Sequence, residues 1–333
     1  MKNLNTTYLG LPVSSPVIVG SCGLTSSLDS IIKLVQCGAG AVVLKSVFEE
    51  EILLDYENNV MTNIGSMQND LEFFDYYDYQ IKHEVLDKYV TLIENVKQNV
   101  KVPVVASINC IASNEWVNFA KKLEEAGADA LELNILKLPF DNHRDSAQIE
   151  AMYLHIIEKV KERISIPIAV KIGSSFTNLG SFIERLATSG IRGIVLFNRF
   201  YPIDFDIQRE EAVSGAVYSF SADYLLPLRW ISIMSNRVDC ELIASTGVHS
   251  AETAIKMLLA GASSFQVVSG VYKNGPDFIK QLNSGIESWM DNKGYHTIDE
   301  FKGNLSQSSA DRPEIFERVQ FMRYFSEHVH SDY

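Results

Sequence analysis

The chain has 333 residues, 46% of them apolar, and a formal net charge of −13. That size allows a large buried core, and the acidic balance argues against nucleic acid or an anionic membrane surface as a partner. It leaves room for a small anionic ligand held by local lysines.

Four cysteines (Cys22, Cys37, Cys110 and Cys240) form no Cys-x-x-Cys pair and have no His cluster beside them. This argues against a zinc or iron–sulfur site and for reduced thiols in the cytoplasm. The opening Met1-Lys2-Asn3-Leu4-Asn5-Thr6 is polar, so no signal peptide is expected. No apolar run approaches the ~20 residues of a membrane span.

Eight short apolar runs follow in chain order, each ending near a polar residue able to hold a ligand. The first two lead into Gly20-Ser21 and Lys45. The third leads into Ser107 and Asn109, the fourth into Asn134, the fifth into Lys171 and the sixth into Asn198. The seventh ends at Ser245-Thr246-Gly247 and the eighth at Val268-Ser269-Gly270. Four runs follow a small residue and Gly at once, as at Cys37-Gly38, Ala126-Gly127, Ser189-Gly190 and Ala260-Gly261, where Gly suits the left-handed close of a helix. Continuous apolar strands alternating with amphipathic helices predict an α/β fold, a (β/α)8 TIM barrel. One domain over 1–333 is expected, with the barrel core at about 15–290 and a helical tail at 295–333.

The connecting helices show apolar spacing at Leu28, Ile31, Ile32 and Val35, and at Trp116, Phe119, Ala120 and Leu123. Met152, His155, Ile156 and Val160 repeat it, and Ser250 is a candidate N-cap. Three segments exceed an ordinary βα loop: 46–82, 135–147 and 199–222. All fall on the rim where a barrel keeps its active site. The first is dense in Phe, Tyr and Asp over 73–79 and reads as a rim cover or a subunit contact. A further amphipathic helix is expected near 313–325.

Thr246-Gly247 and Val268-Ser269 occupy the loops after the seventh and eighth strands, a frequent phosphate site in such barrels. Lys45 and Lys171 end apolar strands; each reads either as a contact to an anionic ligand or as a salt bridge to a neighbouring carboxylate. Asn109, Asn134 and Asn198 can donate and accept at once, which suits a ring with amide edges. Cys22 and Cys110 read as reactive thiols or as small apolar fillers. His83, His143, His155 and His249 are scattered and read as surface or packing residues.

At these residues the chain resembles the dihydroorotate dehydrogenase family, over about residues 4–290 and in its class 1 branch. The resemblance starts at Tyr8-Leu9-Gly10-Leu11 and Ser15-Pro16-Val17. It implies FMN as cofactor, a small-molecule substrate and a homodimer. It places Gly20, Ser21 and Gly23 along the flavin, and Lys45 and Ser46 at flavin and substrate. Asn134 would open the catalytic loop and face both, with Lys171 near the N1–C2 edge of the flavin ring and Asn198 on the pyrimidine. Gly247, Val268 and Ser269 would hold the FMN phosphate.

Two motifs depart from the family pattern. Where class 1 reads Asn-x-Ser-Cys-Pro-Asn with Cys as base, this chain has Asn134-Ile135-Leu136-Lys137-Leu138-Pro139-Phe140, so Lys137 stands at the base position or is a solvated loop lysine. The substrate loop Asn-Ser-Met-Gly becomes Asn63-Ile64-Gly65-Ser66-Met67-Gln68-Asn69, which retains Ser66-Met67 as substrate contacts. The expected function is oxidation of dihydroorotate to orotate in pyrimidine biosynthesis. The alternatives are an FMN oxidoreductase with another substrate, a flavin-binding protein without turnover, and a non-redox lyase or isomerase binding a phosphorylated substrate.

Overall fold

A computed structural model describes residues 2–48, 71–109, 113–136, 138, 143–199 and 202–317. Two short strands, β1 (Thr6–Tyr8) and β2 (Leu11–Val13), pair antiparallel ahead of the barrel. The strands β3 (Val17–Val19) and β4 (Ala41–Val43) begin the parallel ring, and β5 (Val47–Phe48) adds to the end of β6 (Val104–Asn109). The ring continues through β7 (Ala130–Asn134), β8 (Ile168–Ile172) and β9 (Gly193–Leu196). An antiparallel hairpin of β10 (Ile203–Asp206) and β11 (Glu211–Ser214) then interrupts it. β12 (Glu241–Ser245) and β13 (Ser264–Val267) complete it, and pairing of β13 with β3 and of β4 with β6 closes eight parallel strands into a (β/α)8 barrel.

The continuous apolar reading of the strands has its expected cause. Inward residues such as Ile18, Val43, Val105, Ala130, Ala169 and Ile243 form an interior cluster with Tyr8 and Leu9, which plug the N-terminal end of the barrel. Their outward neighbours, such as Val42, Leu131 and Val170, pack under the helices. The glycines that close helices ahead of strands all have positive φ: Gly38 at 94°, Gly127 at 93°, Gly190 at 84° and Gly261 at 112°. Ser250 caps its helix by accepting from Thr253 N–H at 3.2 Å.

Several expectations change. The Phe- and Tyr-rich stretch 73–79, read as loop, belongs to the helix Leu71–Asn99. His155 is exposed; its helix (Ser146–Lys161) buries Ile149, Tyr153, Ile156, Ile157 and Val160 instead. The third long segment is built around the β10–β11 hairpin, where Ile203, Phe205 and Ile207 are exposed. The described part of the tail holds 3-10 turns at Ile298–Glu300, Gln307–Ser309 and Pro313–Phe316; the rest of the helix expected there lies outside the described residues. Among the described residues, no helix is long and apolar enough to cross a membrane.

Candidate active site at the C-terminal mouth of the barrel

The C-terminal ends of the barrel strands open into a cavity of about 630 Å³. Ser21, Gly23, Lys45 and Ser46 line it from the first two barrel strands. Asn134, Lys171 and Asn198 line it from the fourth to the sixth, and Thr246, Gly247, Val268 and Ser269 from the last two. The volume falls within the range of about 300–1,000 Å³ usual for cofactor and ligand sites. Two expected residues lie apart. Gly20 is buried below the cavity, where an added Cβ would meet Val268 Cγ2 at 3.0 Å and Gln266 Oε1 at 3.2 Å. Asn109 pairs with Phe48 in the sheet and does not line the cavity. Lys137, Ser66, Met67 and Cys110 lie outside the described residues.

Hydrogen bonds fix the lining. Ser46 N–H donates to Ser21 Oγ at 2.8 Å, and the Ser46 hydroxyl bonds Ser107 Oγ at 2.7 Å. Ser107 N–H in turn donates to Tyr89 OH at 3.0 Å, tying the cavity wall to the helix Leu71–Asn99. Asn198 donates its side-chain amide to Asn134 Oδ1, so the two form one coupled pair. Lys171 makes the ion pair of its salt-bridge reading. It lines the cavity, donates to Gln266 Oε1 at 2.8 Å and stands 3.8 Å from Glu132 Oε1.

At the opposite end, Thr246 and Gly247 both have left-handed backbone, with φ of 80° and 79°. For Thr this conformation is strained, and such strain gathers at functional sites. Gly247 has a second reason to be Gly: a Cβ there would lie 2.2 Å from Tyr224 N. The Thr246 hydroxyl donates to Phe197 O at 3.2 Å.

The third insertion, expected on the rim, is held against the barrel mouth by a residue that sequence reasoning did not single out. Ser219 is buried and ties that insertion to the last two strand ends. Its N–H donates to Ser269 Oγ at 3.0 Å, its hydroxyl bonds His249 Nε2 at 2.9 Å, and its carbonyl accepts from Lys273 at 2.9 Å. Burial, then the Lys273 charge, push the His249 pKa below its ordinary value. Arg199 also lines the cavity and donates to Ala216 O at 2.8 Å and Val217 O at 3.0 Å. A cation following Asn198 on a strand end was the available signal. Burial pushes the Cys22 thiol up, so this cavity residue stays a neutral thiol near pH 7. Among the described residues no group of His, Cys, Asp and Glu is placed to hold a metal ion.

A barrel with its polar cavity at the C-terminal strand ends belongs to the large class of β/α-barrel enzymes. The family model for dihydroorotate dehydrogenase matches residues 3–290, and the chain belongs to that family, as an oxidoreductase acting on a CH–CH group. It is 23% identical over 318 residues to the catalytic subunit of dihydroorotate dehydrogenase B (NAD(+)) of Thermoplasma volcanium, covering 91% of this chain and 98% of that one. The corresponding subunit of Methanothermobacter thermautotrophicus is 23% identical over 314 residues, covering 90% and 97%. A subunit of the NAD-dependent dihydropyrimidine dehydrogenase of Escherichia coli is 22% identical over 323 residues, covering 91% of this chain and 76% of that one.

Proposed function

We propose that the protein is an FMN-dependent dehydrogenase that oxidises dihydroorotate to orotate, a cytoplasmic step of pyrimidine biosynthesis carried out as a homodimer. The observation that carries this reading is the convergence of Lys45, Asn134, Lys171 and Asn198 on one cavity whose far end is the Thr246-Gly247 and Val268-Ser269 turns. The donor set fits FMN: cationic and amide side chains suit the polar edge of its ring, and the strained turn at Thr246 suits a phosphate. Ser21, Gly23, Lys45, Ser46, Asn134 and Lys171 would hold the ring, and Thr246, Gly247, Val268 and Ser269 the phosphate.

When bound, FMN supplies a two-electron acceptor for hydride. The chain's own residues do the rest. The coupled Asn134–Asn198 amides orient the planar amide edges of the substrate, and Lys45 meets its negative charge. Lys137 takes the proton from C5 as hydride leaves C6. A lysine works as base only with its pKa lowered toward the operating pH, which neighbouring cations favour.

One observation favours a second substrate. The base position holds Lys rather than Cys, and one relative is named a dihydropyrimidine dehydrogenase. A neutral dihydropyrimidine is therefore the alternative donor. The test is the visible spectrum of the FMN-saturated protein, taken anaerobically with each compound. Bleaching by dihydroorotate supports the first reading. Bleaching by dihydrouracil alone selects the second, and no change with either overturns both.

A further inference from the structure

Between the cavity floor and the apolar plug of the barrel lies a polar layer of which the chemistry above uses only Lys171. Among the described residues, Glu132 and Lys171 are the only charged side chains that are buried, at 0% and 8% exposure. Glu132 shares the inward register of Asn134, two residues below it on β7. Gln266 links the two charges. Its Nε2 donates to Glu132 Oε2 at 2.5 Å and to Tyr8 OH at 3.1 Å, and its Oε1 accepts from Lys171 at 2.8 Å. A carboxylate only accepts and an ammonium only donates, so the Gln266 amide is fixed in one orientation. Glu132 Oε1 has no hydrogen-bond partner and lies 3.8 Å from Lys171 Nζ. Burial, then the Glu132 charge, raise the Tyr8 hydroxyl well above its ordinary pKa, so Tyr8 stays a neutral partner of Gln266.

A buried carboxylate costs several kcal/mol in lost hydration. A neutral residue in this register would avoid that cost, and the bond from Gln266 could be made by a glutamine as well. What only an acid supplies is charge. We propose that Glu132 is a positioning residue that holds the Lys171 ammonium and partly offsets its charge. It thereby sets how strongly the cavity floor favours the reduced, more negative form of the bound flavin. This rests on the FMN reading of the cavity. Lys171 lines the cavity that would hold the flavin; Glu132 acts through it, and Gln266 bonds to both.

The test is a dye-coupled reductive titration of the full-length, FMN-loaded protein with dithionite, which needs no substrate. Glu132→Gln removes the charge and keeps the shape. It is expected to raise the ratio of reduced to oxidised flavin affinity about tenfold, the low end of what a neighbouring charge does to an ionisable group, or about 30 mV for a two-electron couple. Tyr8→Phe removes a hydrogen bond from the same layer without changing charge, and the potential should stay at the wild-type value. A Glu132→Gln protein with bound FMN and an unmoved potential overturns the proposal, as does an equal shift in both variants. Where Glu132→Gln does not fold, Glu132→Asp keeps the charge but draws the carboxylate back from Lys171 by one methylene, which weakens the offset. Its ratio of reduced to oxidised flavin affinity should rise by a few-fold. An unchanged or lowered ratio with FMN bound overturns the proposal. Wild-type protein that fails to bind FMN overturns the functional reading itself, whereas bound FMN with the wrong response overturns only the role of Glu132.

Discussion

Gly247→Ala probes the end of the cavity assigned to phosphate, and its cost can be worked from two features. Gly247 has φ +79°, and an added Cβ would lie 2.2 Å from Tyr224 N and 2.7 Å from the Asp223 carbonyl carbon. Left-handed backbone costs an L side chain about 1–2 kcal/mol. Overpacking against a neighbouring backbone costs about 1–3 kcal/mol more. Gly127→Ala is the matched control: its φ is +93°, yet nothing lies within 4 Å of the added Cβ. It carries the backbone cost alone, reduced by about 0.4–1 kcal/mol because Ala restricts the unfolded chain. Urea unfolding should therefore find Gly247→Ala less stable than Gly127→Ala by about 1–3 kcal/mol. FMN titration followed by flavin fluorescence should separate them further. If about 2 kcal/mol of strain is relieved by moving the turn off its FMN contacts, affinity falls about 30-fold. Gly127→Ala, at the other end of its strand, should bind FMN as wild type does. Equal stability of the two variants together with wild-type affinity in Gly247→Ala would refute the reasoning, because neither the clash nor the contact would then exist.

Other outcomes follow from single side chains. Burial pushes the Glu124 carboxyl up, but the Ser165 N–H and hydroxyl, with Lys121, outweigh it and hold the pKa down to about 2. Its folded pKa lies below the unfolded one, so its contribution is present above about pH 4.5 and lost as pH falls from there toward 2. Glu124→Ala should cost about 1–3 kcal/mol at pH 7 and flatten stability against pH in that window, measured by urea unfolding. His249 is depressed by burial and Lys273, so the folded state resists its proton. Stability should fall as pH drops through the unfolded value of about 6.5, and His249→Gln should remove that slope. Trp116, 1% exposed, fills the space between its helix and the barrel, and Trp116→Ala should lower stability by about 3–5 kcal/mol. Lys137→Ala should abolish reduction of the flavin by substrate under anaerobic mixing while leaving dithionite reduction intact; undiminished substrate reduction would remove Lys137 from the mechanism.

The barrel was legible because its strands are covered on both faces. Inward and outward residues are then both apolar, and the runs stand out against helices that end in Gly. The positive φ at Gly38, Gly127, Gly190 and Gly261 is the physical event behind that punctuation. Leu71–Asn99 was not legible over its first turns, where Phe, Tyr and Asp crowd together without a clear apolar stripe. The hairpin carried a true strand signal, the alternation Ile203-Asp204-Phe205-Asp206, but its apolar residues are exposed, so the segment read as loop. His155 fitted a helical spacing that its neighbour Ile156 in fact satisfies.

The site divides in the same way. Polar residues at strand ends were easy to find, because a side chain that interrupts an apolar run at the rim needs a reason to be there. Gly20 and Asn109 show the limit: the run ends at the right level, but one packs beneath Val268 and Gln266 and the other stays in the ladder. Glu132 and Gln266 were passed over because they sit inside runs rather than at their ends. The pleat already contained the missing step. Ala130, Glu132 and Asn134 must share a face, and closure turns that face into the barrel. An acid there has no water, so the chain must supply a cation within reach of it. Lys171, in register with Asn134 on the adjacent strand, is the residue able to do so. A charge in the middle of an apolar strand therefore locates the electrostatic centre of this barrel more firmly than the polar residues at its rim.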